Sequence, residues 1–229
     1  MSADWSLPAP PGFQGLRDDL PLTVYTQHLP HWRQDGATYF VTFRLLDSLP
    51  QAKLHELEAF RAEWQRRHPP PHSRESEDDL TREVMRRVEA WLDQGMGSCI
   101  LRLAEPSALL IDVIHSTDGS VCELDCYVVM PNHVHAILRP LTPNTFPLEK
   151  VLQRWKGGSA HDINRLLHQS GTLWQPEGFD RTIRDERHLY QAIQYIGRNP
   201  RQAGLSPADT RLWIRPAWVQ LGWNFEATA

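Results

Sequence analysis

The sequence predicts an α+β fold, with one antiparallel sheet of ferredoxin-like (RRM-like) topology, helices packed on one face, and a helical insertion after the first strand. Three observations carry that reading. Strand-like and helix-like runs follow one another in the order β, α, β, β, α, β, α, the order of a split βαβ arrangement. The run from Val121 to Met130 alternates, with Cys122, Leu124, Cys126, Val128 and Met130 on one face, and Pro131-Asn132 turns it into a second extended run from His133 to Arg139. A length of 229 residues suits one core carrying a sizeable insertion. With helices on one face only, the other face is expected to be open to a substrate.

Taken in order, residues 1–35 are rich in proline (Pro8, Pro10, Pro11, Pro21, Pro30) and read as a tail leading into the sheet. Thr38 to Arg44 is dense in β-branched and aromatic residues and is the first strand, ended by Pro50. Leu54, Leu57, Phe60 and Trp64 mark a helix over 53–67, and Leu80, Val84, Val88, Trp91 and Leu92 mark another over 80–92. Between them, residues 68–79 are polar and proline-broken, and they read as a mobile surface linker. Gly95 and Gly97 close the insertion, 51–97, and a third helix is expected over 106–116. After the hairpin come a long helix from Pro147 to about His168, a glycine stop at Gly171, an extended piece over 179–184 and a final helix over 185–198. The domain spans 36–205, and residues 206–229 form a second tail. The tryptophans of that tail, Trp213, Trp218 and Trp223, either stack on bases or pack against the core, and packing is favoured.

Hydrophobic residues make up 41% and charged residues 23%, with a mean hydropathy of -0.48, which is ordinary globular usage. No run reaches the roughly 18 apolar residues of a spanning helix, and the first residues lack the basic start and apolar run of a secretory signal. Three cysteines, Cys99, Cys122 and Cys126, cannot pair completely and complete no zinc knuckle. The reading is a reduced, cytoplasmic protein without a membrane partner. Twenty-four basic against 28 acidic residues give a net charge of -4, which argues against coating nucleic acid by bulk charge. From Lys150 to Arg201, however, nine cations stand against five acids, so that zone carries +4 and the remainder -8. A basic zone in an acidic chain suits a phosphate-bearing substrate, although solvated helix faces have the same composition.

His133-Val134-His135 is the sharpest feature. Side chains two apart on a strand point the same way, so both imidazoles leave one sheet face while Val134, Ala136 and Leu138 leave the other. Two neutral imidazoles spaced roughly 6–7 Å along a strand can close on one divalent ion, and two partly exposed strand histidines are the alternative. On the last helix, Leu189, Ala192, Ile193 and Ile196 form a core stripe, and His188, Gln191, Tyr195 and Asn199 form a polar stripe beside it. Tyr195 and Asn199 lie one turn apart, a phenol poised as nucleophile and an amide oxygen able to ligate a metal facing the same point. Tyr190, about 140° round the helix from Tyr195, is the weaker nucleophile candidate. A tyrosine at the edge of a core is the plain alternative for Tyr195.

Tyr127-Val-Val-Met-Pro-Asn-His-Val-His135, Trp155-Lys156, Trp174-Gln175, Phe179-Asp-Arg-Thr-Ile-Arg-Asp-Glu186 and Tyr195-Ile-Gly-Arg-Asn-Pro-Arg-Gln-Ala-Gly-Leu205, in this order, resemble the REP-associated tyrosine transposases of the Y1-transposase, HUH-endonuclease group. The likeness runs from about Thr38 to Leu205. It implies that residues 36–205 are the catalytic domain, that His133 and His135 bind a divalent metal, Mg²⁺ or Mn²⁺, with Asn199 as third ligand, and that Tyr195 is the nucleophile. It also implies a monomer that cleaves and rejoins single-stranded DNA at hairpin-forming repeats through a 5′-phosphotyrosyl link with a free 3′-OH. A phenol with a pKa near 10 needs help from the metal or a cation. Lys156, Arg184 and Arg198 are candidates for that and for DNA binding, with ordinary surface charge the alternative for each. The rival readings are a non-cleaving repeat-DNA or RNA-binding module, and a metal-dependent hydrolase using activated water.

Overall fold

A computed structural model describes residues 7–26 and 30–226 of the chain. Five strands form the main sheet: β3 (Tyr39–Arg44), β4 (Cys122–Val129), β5 (His133–Pro140), β6 (Phe179–Thr182) and β7 (Arg211–Ile214). Their order is β6-β3-β5-β4-β7, and every neighbouring pair is antiparallel. Ahead of them, β1 (Thr23–Thr26) and β2 (Pro30–Arg33) pair as a two-stranded ribbon inside the stretch read from sequence as a tail. Among the described residues there are also two 3-10 turns, Ile100–Arg102 and Pro207–Asp209, and six α-helices: α1 (Gln51–Arg67), α2 (Arg74–Leu92), α3 (Ala104–His115), α4 (Leu148–Leu166), α5 (Glu186–Gln202) and the short α6 (Pro216–Val219). No helix among the described residues is long and apolar enough to cross a membrane.

The linker expected over 68–79 is much shorter. Helix α2 begins at Arg74, because the Ser73 hydroxyl accepts the Ser76 N–H at 3.2 Å and Glu75 and Glu77 place negative charge in the first turn. A polar composition there reflects a capped helix start with a solvated face. The hairpin of β4 and β5 forms as the alternation predicts, with Val129 opposite Val134 and the Met130 N–H closing on the His133 carbonyl at 2.9 Å.

Helices cover both faces of the sheet, so the expectation of one open face is wrong. On the first face, Tyr39, Val41 and Phe43 of β3 and Val134, Ala136 and Leu138 of β5 pack against Leu110 and Ile114 of α3 and Val151, Trp155 and Ile163 of α4. Trp155 donates to Thr117 Oγ1 at 2.8 Å and Trp174 to Ser159 Oγ at 3.0 Å, so both tryptophans of the sequence motif are core anchors for α4. The second face carries Phe40, Cys126, Val128, Met130 and Ile137, and the stripe Leu189, Ala192, Ile193 and Ile196 of α5 closes over it.

A β-bulge explains how β4 serves both cores. The register slips between Leu124 and Cys126, so Cys122 and Leu124 enter the first core whereas Cys126, Val128 and Met130 enter the second. The simple alternation placed all five on one face. Asp125, the extra residue, is fully buried, with Arg215 Nε at 3.5 Å.

Trp218 and Trp223 are fully buried in the second core, where their indole N–H groups donate to the Pro11 and Pro8 carbonyls, each at 2.9 Å. Trp213 lies in β7 and stacks on Tyr127 with ring centroids 5.6 Å apart. Residues 7–13 and 218–223 thus pack together against α5. The insertion keeps a third apolar cluster of its own, Leu49, Leu57, Val84, Trp91 and Leu92, which meets the sheet at Phe179.

Candidate active site

Strand register and helix packing together build the site. His133 and His135 point from β5 into the second face, where α5 buries them to 1% and 0% exposure. Their Nε2 atoms approach to 3.0 Å. The Asn132 side chain donates to the Leu92 and Met96 carbonyls, which fixes its Oδ1 as an acceptor for His133 Nδ1–H at 2.8 Å. That bond leaves His133 Nε2 with a lone pair aimed inward. Thr42, directly across the sheet, hydrogen-bonds His135 Nδ1 at 2.8 Å. Burial drives both imidazoles neutral, His133 down to about 3 against the pull of neighbouring Asn199, and His135 well below its ordinary value with His133 adding to the effect.

Helix α5 starts where Asp185 accepts the His188 N–H at 2.7 Å, which sets the phase of the helix. Tyr195 falls over the histidines, its ring 5.3 Å from that of His135 and 5.8 Å from that of Phe40, while Phe40 stacks on His135 at 5.5 Å. One turn later Asn199 is 1% exposed, and its Oδ1 makes no hydrogen bond of ordinary geometry among the described residues, its one polar neighbour being the His133 imidazole on which it pulls. An amide oxygen so placed is costly unless something else takes it. In the 3.0 Å hydrogen bond between the two rings His135 Nε2 donates to His133, and the other tautomer of His135, with its proton on Nδ1 towards Thr42, turns both Nε2 lone pairs to the same point. The donor set therefore fits a divalent cation, with His133, His135 and Asn199 as the residues that would hold it. Among the described residues no group of three or more His, Cys, Asp or Glu side chains is placed to do so.

The expected cations divide. Arg184 is exposed and lines a cleft of about 440 Å³ that reaches Tyr195 between α2, β6 and α5. Arg181 joins it there, as do Arg82 and Arg86 from the insertion. Lys156 instead gives its ammonium to the Gln175 and Pro176 carbonyls at 3.0 and 2.8 Å, and burial, with Arg44 nearby, lowers it to about 8. Arg198 is exposed and bonds its own helix at the Gln194 carbonyl, outside the cleft. The nine cations of 150–201 do not line one approach, because Lys150, Arg154, Lys156 and Arg165 ride on α4, which packs on the opposite face.

Two residues at the site escaped the sequence reading. Arg44 stands cross-strand from His133 on the same face. It bonds the Ser48 hydroxyl at 3.1 Å, no carboxylate pairs with it among the described residues, and burial lowers it to about 10. Glu89 of α2 accepts the Tyr195 hydroxyl, and burial, with Asp93 adding to it, pushes its carboxyl up to about 8. No local signal marks either one. Arg44 ends an apolar strand, and Glu89 looks like any acid on an amphipathic helix.

No model of a protein family matches the chain, and no curated protein does. Among solved structures, the chain is similar to one described as a REP-associated tyrosine transposase bound to a REP hairpin, with 16% identity over 80% of this chain and 74% of the other and a TM-score of 0.39.

Proposed function

We propose that this chain is a metal-dependent tyrosine endonuclease and strand-joining enzyme that acts on single-stranded DNA at hairpin-forming repeats, in the manner of a REP-associated transposase. One observation carries the reading: the Tyr195 ring meets buried His135 edge to face, His135 is hydrogen-bonded to His133, and the buried Asn199 oxygen stands one helical turn from Tyr195. The five sequence motifs that resemble that family add to it, because they bring these side chains from β5 and α5 to one point. In chain order the strands β3 to β6 stand 4-1-3-2 across the sheet, the order of a ferredoxin-like fold, with β7 added beside β4.

The chain's own residues account for most of the step. Tyr195 is held by Phe40 and His135 so that its hydroxyl meets a phosphate entering along the cleft. Its oxygen forms a bond to phosphorus while the bond to the 3′-oxygen breaks, leaving a 5′-phosphotyrosyl link that a later 3′-OH reverses. Arg44, half-buried cross-strand from His133 and without a carboxylate partner among the described residues, supplies positive charge beside the histidines. A bound Mg²⁺ or Mn²⁺ would polarise the scissile phosphate. Arg181 and Arg184 at the cleft wall take the flanking strand.

The test is covalent capture. Incubated with Mn²⁺ and labelled hairpin oligonucleotides bearing single-stranded flanks, the wild type should yield a denaturant-resistant protein–DNA adduct. Tyr195→Phe should bind the hairpins equally and yield none. Binding without an adduct in the wild type would mean a non-cleaving module, and cleavage that survives in Tyr195→Phe would mean a water-using hydrolase.

A further inference from the structure

We propose that Glu89, supplied by the helical insertion, is the proton acceptor that activates Tyr195; this rests on the endonuclease reading above. The phenol hydroxyl donates to Glu89 Oε2, a contact that bridges α5 and α2 at the floor of the cleft, which both residues line. The carboxylate is reserved for that partner. Arg86 and Arg87, on the preceding turn, both bind Glu83 rather than Glu89. No Lys or Arg ion pair involves Glu89 among the described residues, so its charge is not spent on a structural bridge.

The step balances. As the Tyr195 oxygen forms its bond to phosphorus, the phenolic proton passes to Glu89 Oε2, the P–O3′ bond breaks, and the departing 3′-oxygen takes a proton from solvent. In rejoining, the attacking 3′-OH gives its proton to solvent as its oxygen bonds to phosphorus, the P–O bond to Tyr195 breaks, and Glu89 returns its proton to the departing phenolate. An ordinary carboxyl is more than five pKa units too acidic to exchange a proton with a phenol on equal terms. Burial lifts Glu89 to about 8 and closes most of that gap. The insertion thereby acquires a chemical task in addition to covering the site.

The charged and titratable groups that share the cleft with Glu89 are Arg82 and Arg86 on its own helix, Tyr195 and His188 on α5, Asp180 and Arg181 on β6 and Arg184 just after it, while Asp93, one turn along α2, adds negative charge. Burial lowers His188 to about 4 and Asp180 is tied to Arg33, so among these acids and histidines Glu89 is the one brought to about 8.

The experiment measures single-turnover adduct formation from pH 6.5 to 9 with Mn²⁺ and a pool of hairpin oligonucleotides with randomised single-stranded flanks. It compares the wild type, Glu89→Gln and Glu89→Asp, with hairpin affinity and melting temperature recorded for each. The wild-type rate should rise through about pH 8. Glu89→Gln, which keeps an acceptor for the phenol but no basicity, should be slower by about 10²–10⁴-fold and lose that rise. Glu89→Asp should regain part of the rate. A Glu89→Gln rate equal to wild type would overturn the assignment, as would a slow variant that kept the wild-type pH profile, since the residue would then only position Tyr195. A wild type that forms no adduct would sink the endonuclease reading itself, and this assignment with it.

Discussion

Substitution of the two histidines separates a metal site from an ordinary buried pair, provided the substitutions spare the core. The sequence reading expects His133→Ala and His135→Ala to leave the fold intact because the imidazoles face a substrate. They are instead 1% and 0% exposed beneath α5, with Phe40 stacked on His135. Truncation at such a site costs on the order of 2–5 kcal/mol, a large part of the 5–15 kcal/mol that holds a typical domain together. Glutamine keeps most of the volume and one polar end, so His133→Gln and His135→Gln are the informative variants. If the pair and Asn199 hold Mn²⁺, free ion at 100 times its Kd adds about 2.7 kcal/mol to stability. In a chain of this size, that raises the melting temperature by about 5–11 °C. Thermal melts in EDTA and across a Mn²⁺ titration should show that rise for the wild type. They should show none for either glutamine variant, and a smaller one for Asn199→Ala. Equal shifts in all four proteins, or no shift in the wild type at millimolar Mn²⁺, would refute the site.

The cations yield a paired outcome: Arg184→Ala should reduce the magnitude of the salt slope of hairpin binding by about 0.7 for a lost phosphate contact, as read by fluorescence anisotropy at several salt concentrations. Lys156→Ala should instead lower the melting temperature and leave that slope alone, because its ammonium is engaged by the Gln175 and Pro176 carbonyls. Asp125 predicts a pH effect on stability. Burial holds its folded pKa well above the ordinary value, with Arg215 opposing, so stability is greatest below the unfolded pKa near 3.9 and falls as pH rises through the folded value. Asp125→Asn should therefore melt higher than wild type at pH 8, with the difference narrowing towards pH 4 in a series of calorimetric scans. Shortening Pro69–His72 by two residues should leave the circular dichroism spectrum and melting temperature unchanged, since these residues are exposed or half-buried and closure entropy varies only slowly with loop length. Deletion of Arg74–Asp79 should destabilise the insertion, because those residues begin α2.

Much of the site was legible in the sequence because its signals are local. Two residues along a strand share a face and four residues along a helix share a stripe, so His133 with His135, and Tyr195 with Asn199, pair by spacing alone. The hairpin at Pro131-Asn132 and the apolar stripe of α5 follow from the same periodicities. Composition misled at 68–79, where a serine cap starts a helix whose polar face resembles a linker. Alternation misled at β4, where the bulge at Asp125 feeds one strand into two cores.

By itself the sequence determined the strand and helix periods, the donors placed on them and the order in which they occur, since these depend on backbone geometry over a few residues. Only the tertiary structure decided that α5 closes over the histidine face, because both that face and the helix stripe have apolar surface that is stable only when one buries the other. It also decided which distant residues meet there. Arg44 reaches His133 through the register of β3 on β5, and Glu89 reaches Tyr195 across 106 residues of chain. Such pairings are fixed by how whole elements pack, and no property of either residue's own neighbourhood encodes its partner.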